Sequence, residues 1–148
     1  TFLDNGQVYV WATSKYNSKC HNESGYSYNP TDLRNNVFSK VSSLDDLYDG
    51  QTIIIVYSDG QKVMGNSQAN NNRPAVDGTR SSNNVIPDGD FQAITLGIEE
   101  LANGDVVYTL NTDEGYLYAV DGSNYLRSGE LSDASRWVIT FANGRPTI

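Results

Sequence analysis

The chain has 148 residues, of which 38% are hydrophobic and 19% charged, and its 18 acidic against 10 basic side chains give a net charge of −8. This length suits one domain with a buried core, or one domain plus an arm, and no apolar run reaches the roughly 18 residues of a membrane-spanning helix. Because phosphate backbones are negative, the acidic chain is not expected to bind nucleic acid.

Short runs rich in β-branched and aromatic residues alternate along the chain with five Asp-Gly and three Asn-Gly dipeptides. Such dipeptides suit tight hairpin turns because both residues tolerate a positive φ. Strands are predicted over residues 7–12, 52–57, 62–64, 93–98, 105–110, 116–120, 124–127 and 137–141. Single helical turns are predicted over residues 44–48 and 132–136, the first from a Ser43–Asp46 capping pattern. The chain is therefore predicted to be all-β.

Two segments lack this alternation. Residues 14–36 are rich in Asn, Ser and Tyr, and residues 66–84 are polar apart from Ala75 and Val76. Long segments without periodicity predict surface connections, which are either solvated loops or ligand-binding loops.

A weak internal repeat is spaced at roughly 40 to 45 residues and relates residues 52–57, 93–98 and 137–141. Three such units favour a short-stranded β-trefoil-like barrel, with a β-sandwich as the alternative. On the trefoil template the third repeat is incomplete, because it ends at Ile148 after two strands, unless residues 1–36 supply the closing strands. We therefore divide the chain into an N-terminal strand and Asn/Ser/Tyr-rich arm, residues 1–36, and an all-β domain, residues 37–148.

Three stretches of this second part resemble, in pattern and order, a β-rich module of secreted and surface proteins of gut bacteria. They are residues 38–57 (FSKVSSLDDLYDGQTIIIVY), 115–129 (GYLYAVDGSNYLRSG) and 137–148 (WVITFANGRPTI). The module is appended to extracellular nucleases, glycan-degrading enzymes and adhesin-like proteins. The resemblance covers residues 37–148 and implies a β-trefoil-like accessory domain that is secreted or on the cell surface and binds without catalysing. A further pair of strands usually follows the position of Ile148.

Few residues are suited to catalysis. The single cysteine and the single histidine, Cys20 and His21, are neighbours in sequence and cannot alone complete a zinc site. Glu99-Glu100 and Asp113-Glu114 could supply the two carboxylates of a glycosidase, but they fall at predicted strand ends or turns, where acids are common. We therefore expect no enzymatic activity, and glycoside hydrolysis ranks third among the hypotheses.

No cofactor is predicted, although calcium is an alternative ligand for two short acidic loops. Residues 87–90 (PDGD) and 121–124 (DGSN) offer the carboxylate and carbonyl oxygens that calcium prefers. Neither loop has the spacing of an EF-hand, and ordinary turn chemistry explains both.

Carbohydrate binding is the leading hypothesis for the function. A sugar ring stacks on a flat aromatic face while its hydroxyls pair with Asn, Asp, Gln or Arg, so an aromatic side chain beside a polar one on a loop is the smallest useful unit. The candidate ligand-binding residues are Trp11, Tyr16, Tyr26, Tyr28, Asn72, Arg73, Asp77, Arg80, Tyr125 and Arg127. The structural alternative is that these tyrosines occupy half-buried strand positions; Trp137 is expected to pack in the core.

The second hypothesis is binding to a neighbouring protein domain, or an adhesin-like structural role without a small ligand. The predicted strand at residues 7–12, or an unpaired sheet edge, could pair with a strand of another chain.

Overall fold

The computed structural model describes residues 8–12, 37–57 and 61–148, and of residues 8–12 it describes the backbone alone. Regular structure in these ranges consists of β-strands and two 3₁₀ turns, Leu44–Asp46 and Asp133–Ser135. The strands are β1 (Val8–Ala12), β2 (Phe38–Lys40), β3 (Thr52–Tyr57), β4 (Lys62–Met64), β5 (Ala75–Ser81), β6 (Asn84–Pro87), β7 (Ile94–Glu100), β8 (Val106–Thr112), β9 (Gly115–Ala119), β10 (Leu126–Gly129), β11 (Arg136–Trp137), β12 (Thr140–Ala142) and β13 (Arg145–Thr147). The all-β prediction is confirmed. Within the described ranges, no helix has the length and apolar character needed to cross a membrane.

The strand pairings are antiparallel and fall into two connected parts. Because β1 pairs with both β2 and β3, hydrogen-bonded neighbours form a continuous circuit in the order β1, β2, β6, β5, β4 and β3, here called the six-strand circuit. From β3 the pairing continues through β7, β8, β9 and β10, here called the β7–β10 sheet, and β11 joins β8. A separate hairpin, β12–β13, turns at Asn143 and Gly144, whose φ values of 52° and 72° suit the predicted Asn-Gly turn.

Strand β3 lies between two hydrophobic cores. Ile53 and Ile55 point into a first core, whereas Ile54 and Val56 point into a second one, and all four are at most 2% exposed. This arrangement explains why β3 is a continuous apolar run rather than an alternating one. The first core also contains Leu96, Leu110, Leu117 and Leu126 of the β7–β10 sheet, and the second contains Phe38, Val63, Val85 and Phe91.

The predicted helical turn near residue 44 is confirmed, and so is its capping pattern. The carboxylate of Asp46 accepts hydrogen bonds from the backbone N–H groups of Ser42 and Ser43, at 2.9 and 3.2 Å. In the second 3₁₀ turn, Ser135 Oγ accepts from the backbone N–H of Ser132 at 2.9 Å. Both turns therefore satisfy backbone donors that the short helix itself leaves without partners.

The prediction that residues 66–84 form one long loop is wrong in its second half, where β5 and the start of β6 lie. Asp77 and Gly78, predicted as a turn, are in the middle of β5. A Cβ atom on Gly78 would lie 3.0 Å from Val63 Cγ2 and 3.3 Å from Val85 Cγ1, so this glycine allows β4, β5 and β6 to pack closely. The sequence concealed the strand because its other side chains are mostly exposed and polar.

The strand predicted over residues 137–141 is divided between β11 and β12. Trp137 packs against the first core, as expected, and its indole N–H donates a hydrogen bond to the carbonyl of Leu117 at 2.9 Å. Val138, between the two strands, is 62% exposed. The break therefore lets the chain pass from pairing with β8 to pairing with β13.

Candidate functional site

The loop formed by residues 66–73, here called the docking loop, lies along the edge of β10 that faces away from β9. The backbone N–H of Leu126 donates to the carbonyl of Asn71 at 2.8 Å, and Gln68 Nε2 donates to the carbonyl of Leu126 at 3.2 Å. The loop thus satisfies backbone groups of a strand that would otherwise expose them at a sheet edge. It also places asparagine side chains beside β10.

A tight turn shapes the docking loop. Ala69 and Asn72 exchange two backbone hydrogen bonds, of 2.7 and 3.0 Å, and Asn70 between them has a φ of 55°. Asparagine adopts this left-handed conformation more readily than most residues, because its short polar side chain bonds locally. Gln68 Nε2 also donates to the carbonyls of Asn70 and Asn72, at 3.2 Å each. The run of asparagines therefore has a local structural reason.

Arg73 fastens the docking loop to the β7–β10 sheet. One terminal nitrogen donates to the carbonyl of Asn66 and to Gln92 Oε1, both at 2.7 Å. The other donates to Glu114 Oε2 at 2.9 Å and to Ser128 Oγ. The Arg73 side chain is fully buried, whereas that of Glu114 is 47% exposed. Because the guanidinium does not reach the surface, its role in this structure is to hold the loop, and direct contact with a ligand stays a prediction.

Three side chains form a cluster at the surface where the docking loop meets β10: Asn71, Tyr125 and Arg127, here called the surface cluster. The guanidinium carbon of Arg127 lies 4.9 Å from the centre of the Tyr125 ring, and its terminal nitrogen donates to Asn71 Oδ1. Tyr125 is 41% exposed and Arg127 is half-buried. A cation over an aromatic face, held from a second side by an amide, gives a fixed arrangement of donors beside an accessible ring.

The outward face of the β7–β10 sheet continues from this cluster. Leu117 of β9 and Leu126 of β10 point into the first core. Because side chains alternate along a strand, the residues next to each of these leucines point outward. Tyr118 lies directly opposite Arg127, and Tyr116 lies opposite Gly129. Both tyrosines are half-buried. Sequence reasoning missed them as site residues, although the alternation Tyr-Leu-Tyr is a signal that one face of β9 carries both rings.

Elsewhere on this outward face, Arg136 is paired with two carboxylates. Arg136 Nε donates to Glu99 Oε2 at 2.9 Å, and its Nη1 donates to Asp133 Oδ1 at 2.8 Å. The hydrogen bond and the negative charge of Glu99 raise the pKa of Arg136 above its usual value. Arg136 is therefore held by two carboxylates, which sets it apart from Arg127.

The other predicted ligand-binding residues do not belong to the surface cluster, or lie outside the described residues. Asn72 is half-buried in the docking loop, next to Asn71. Asp77 and Arg80 are on β5, where Asp77 binds Lys62 and Arg80 Nε donates to the carbonyl of Ser82 at 3.0 Å. The backbone of Trp11 is in β1, opposite Ile54 and Lys40. Its side chain is not among the described parts of the structure. Also outside these parts are Tyr16, Tyr26 and Tyr28, together with Cys20 and His21.

The acidic pairs considered for catalysis make contacts with other side chains. Glu99 binds Arg136, Glu114 binds Arg73, and Asp113 Oδ1 accepts from Gln92 Nε2 at 3.4 Å. In the part of the chain that the structure describes, which includes both acidic loops, no group of three or more His, Cys, Asp or Glu side chains is placed to hold a metal ion.

No protein-family model, curated protein sequence or solved structure matches this chain. The function proposed below therefore follows from the residues of the surface cluster and from their surroundings.

Proposed function

We propose that the protein is a non-catalytic carbohydrate-binding module of a secreted or cell-surface protein, and that it binds glycan at the surface cluster. The observation that carries this proposal is the exposed ring of Tyr125 beside the fixed guanidinium of Arg127. Two candidate residues chosen from sequence for this chemistry thus lie together on one surface, with Asn71 as a third member.

The chemistry of the cluster suits a neutral or acidic sugar. The ring of Tyr125 offers an apolar face to the C–H groups of a sugar, and the free N–H groups of a guanidinium donate to hydroxyl or carboxylate oxygens. Arginine is well suited to this task because its planar fork loses little conformational freedom for each bond that it makes.

The support beneath the cluster favours binding over a purely structural surface. Arg73 and the Gln68 amide hold the docking loop against β10, so Asn71 is in place before any ligand arrives. A site whose side chains are ordered in advance costs less entropy when it binds.

For the fold, we propose the β-trefoil that the repeat predicts. The turns Leu44–Asp46 and Asp133–Ser135 are separated by about two periods of the repeat, and each is followed closely by a strand. The resemblance to modules of gut bacterial surface proteins supports the same fold and a position outside the cell.

A second candidate is binding to a neighbouring protein domain. Leu131 and Val138 flank the second 3₁₀ turn and are 48% and 62% exposed. Exposed apolar side chains near each other in sequence suit a protein interface better than a glycan site. The docking loop disfavours strand addition at β10, because it already bonds to Leu126 on the outer edge of that strand.

Affinity gel electrophoresis with plant and mucin polysaccharides embedded in the gel tests the carbohydrate proposal. We expect at least one polysaccharide to slow the migration of the unmodified protein, and Tyr125→Ala or Arg127→Ala to abolish that retardation. Lys62→Ala is the matched control, because it also removes one positive charge but lies on β4, where it binds Asp77. Lys62→Ala should migrate like the unmodified protein in every gel.

Two outcomes contradict the proposal. Unretarded migration of the unmodified protein in all gels would remove the glycan and leave a protein partner as the better candidate. Equal retardation of the unmodified protein and of both cluster variants, with thermal melting showing that all are folded, would place glycan binding elsewhere on the molecule.

A further inference from the structure

The ring of Tyr118 lies beside Gly129 on the outward face of the β7–β10 sheet. A Cβ atom on Gly129 would lie 3.1 Å from Tyr118 Cε1 and 3.7 Å from Cδ1. The ring therefore occupies the space that a side chain at position 129 would fill. One edge of the ring therefore contacts β10, and because Tyr118 is only half-buried, part of its side chain is open to solvent.

Tyr118 and Tyr125 are both neighbours of Arg127 on this face. Tyr118 is directly opposite Arg127 in the β9–β10 pair, at a separation that is typically about 5 Å between Cβ atoms. Tyr125 precedes Arg127 by two residues, and the Arg127 guanidinium lies over its ring. The surface cluster is thus continuous with a second aromatic face on the neighbouring strand.

Further polar and aromatic side chains extend this surface away from Tyr125. Tyr116 follows on the same face of β9, about 7 Å from Tyr118 along the strand. Asn111 of β8 is directly opposite Tyr116, and is half-buried. This face of the hairpin therefore carries Tyr125 with the Arg127 guanidinium at one end, Tyr118 next and Tyr116 beyond it, with Asn111 beside Tyr116.

We propose that Tyr118 is a second sugar-stacking platform, and that the ligand is a linear chain of several sugar units lying along the β9–β10 hairpin. This inference rests on the proposed carbohydrate function and names its ligand class. A single sugar or a chain end needs one ring with its neighbouring donor, which the pair Tyr125 and Arg127 supplies. Two half-exposed tyrosines on one face, with a guanidinium beside one of them, instead suit repeated units along the interior of a polysaccharide.

A structural role for the same ring makes a different prediction. An aromatic side chain that covers a glycine on the neighbouring strand can stabilise a sheet without any ligand. In that case replacement of Tyr118 lowers stability and leaves the affinity for glycan unchanged. Stability and affinity must therefore be measured on the same variants.

The experiment uses the polysaccharide that retards the unmodified protein most strongly in the gels, together with the disaccharide and the hexasaccharide prepared from it. Isothermal titration calorimetry compares the unmodified protein with Tyr118→Ala, Tyr118→Phe and Arg127→Ala. We expect Tyr118→Ala to bind the hexasaccharide roughly tenfold more weakly but the disaccharide equally well, because only the longer ligand reaches the second ring. Tyr118→Phe keeps the ring and should bind both ligands like the unmodified protein, whereas Arg127→Ala should weaken both.

The outcomes separate this inference from the function on which it rests. If Arg127→Ala weakens binding while Tyr118→Ala, still folded by thermal melting, binds the hexasaccharide like the unmodified protein, the second platform is refuted and the carbohydrate function stands. Equal affinities of the unmodified protein for disaccharide and hexasaccharide would refute the extended ligand in the same way. If no polysaccharide retards the unmodified protein, both proposals are refuted together.

Discussion

The six-strand circuit and the β7–β10 sheet are both antiparallel, but β3 of the circuit is buried on both faces, whereas the sheet has one buried face and one that is partly exposed to solvent. In the circuit, both faces of β3 are buried, with Ile53 in the first core and Ile54 in the second. In the β7–β10 sheet one face is buried, by residues such as Leu96 and Leu117, and the other, apart from Val107, carries half-buried or exposed side chains such as Tyr118. Strand β3 of the circuit therefore has the tighter packing constraint, whereas the sheet has alternate positions at its surface.

The same contrast appears between two arginines. Arg73 is fully buried and shares its hydrogen bonds among the docking loop, the β8–β9 turn and β10. Arg127 is half-buried at the surface and bonds to Asn71. Arg73 joins the docking loop to the sheet, whereas Arg127 places a positive charge at the surface beside that loop. Arg73 is thus expected to matter for stability, and Arg127 for the proposed binding.

The largest expected loss of stability comes from a substitution on β3, and the exposed face of β7 provides the comparison. Ile54→Ala should lower the free energy of unfolding by about 2–5 kcal/mol, because it leaves a cavity in the second core. Thr95→Val on the exposed face of β7 should change it by less than about 0.5 kcal/mol. Urea unfolding measures both. If the two substitutions cost the same, β3 is not packed between two cores as described.

The next effect tests the two arginines. Arg73→Ala should cost about 3 kcal/mol of unfolding free energy, because Gln92 and Ser128 lose a buried partner and the docking loop loses its attachment. Arg127→Ala should cost no more than about 1 kcal/mol, since its guanidinium is partly solvated and bonds to an amide near the surface.

Thermal and urea unfolding of both variants check the difference. A loss of stability in Arg127→Ala as large as that in Arg73→Ala would contradict the division between a buried attachment and a surface group. Arg73→Lys is the control for charge: it keeps a cation but cannot reproduce four hydrogen bonds in one plane, so it should recover only part of the loss.

A smaller effect concerns the packing of the outward face. A Cβ atom on Gly97 of β7 would lie 2.2 Å from Thr109 Oγ1 on β8, which no side chain tolerates without movement. Gly97→Ala should therefore cost about 1–3 kcal/mol, the range for overpacking. Thr109→Ala in the same chain should recover most of that loss, because it removes the atom in conflict. A double-mutant cycle by urea unfolding measures the coupling, and additive costs would show that the clash is absent.

The parts of the fold that sequence could predict are those governed by local patterns. The apolar run of β3, the Ser43–Asp46 cap and the Asn143-Gly144 turn each follow from neighbouring residues, and all are present. Strand β5 was missed because its pattern is set by its neighbours: Gly78 is needed where Val63 and Val85 approach. The trefoil remains a proposal, since a repeat in sequence does not by itself fix how strands close.

The candidate site was predicted in part for the same reason. Tyr125 and Arg127 are two residues apart, so their pairing could be expected from a strand alone. Arg73 bonds to Glu114 and Ser128, which are 41 and 55 positions away, and no local pattern indicates these contacts. Its burial therefore emerged only from the fold. Tyr118 was missed because half-buried tyrosines are common in strands, and only the contact with Gly129 shows how its ring lies.

The smallest expected effect tests whether the outer surface of the circuit matters as much as the outward face of the sheet. Lys62 and Asp77 form an ion pair across β4 and β5, with side chains 51% and 71% exposed. Lys62→Ala should lower the unfolding free energy by no more than about 0.5 kcal/mol, because water screens the pair and both side chains lose freedom in forming it. Repeating urea unfolding in high salt should remove even this difference. A loss comparable to that of Gly97→Ala would mean that the circuit, too, depends on its outer surface, and the contrast between the two regions would then be confined to their cores.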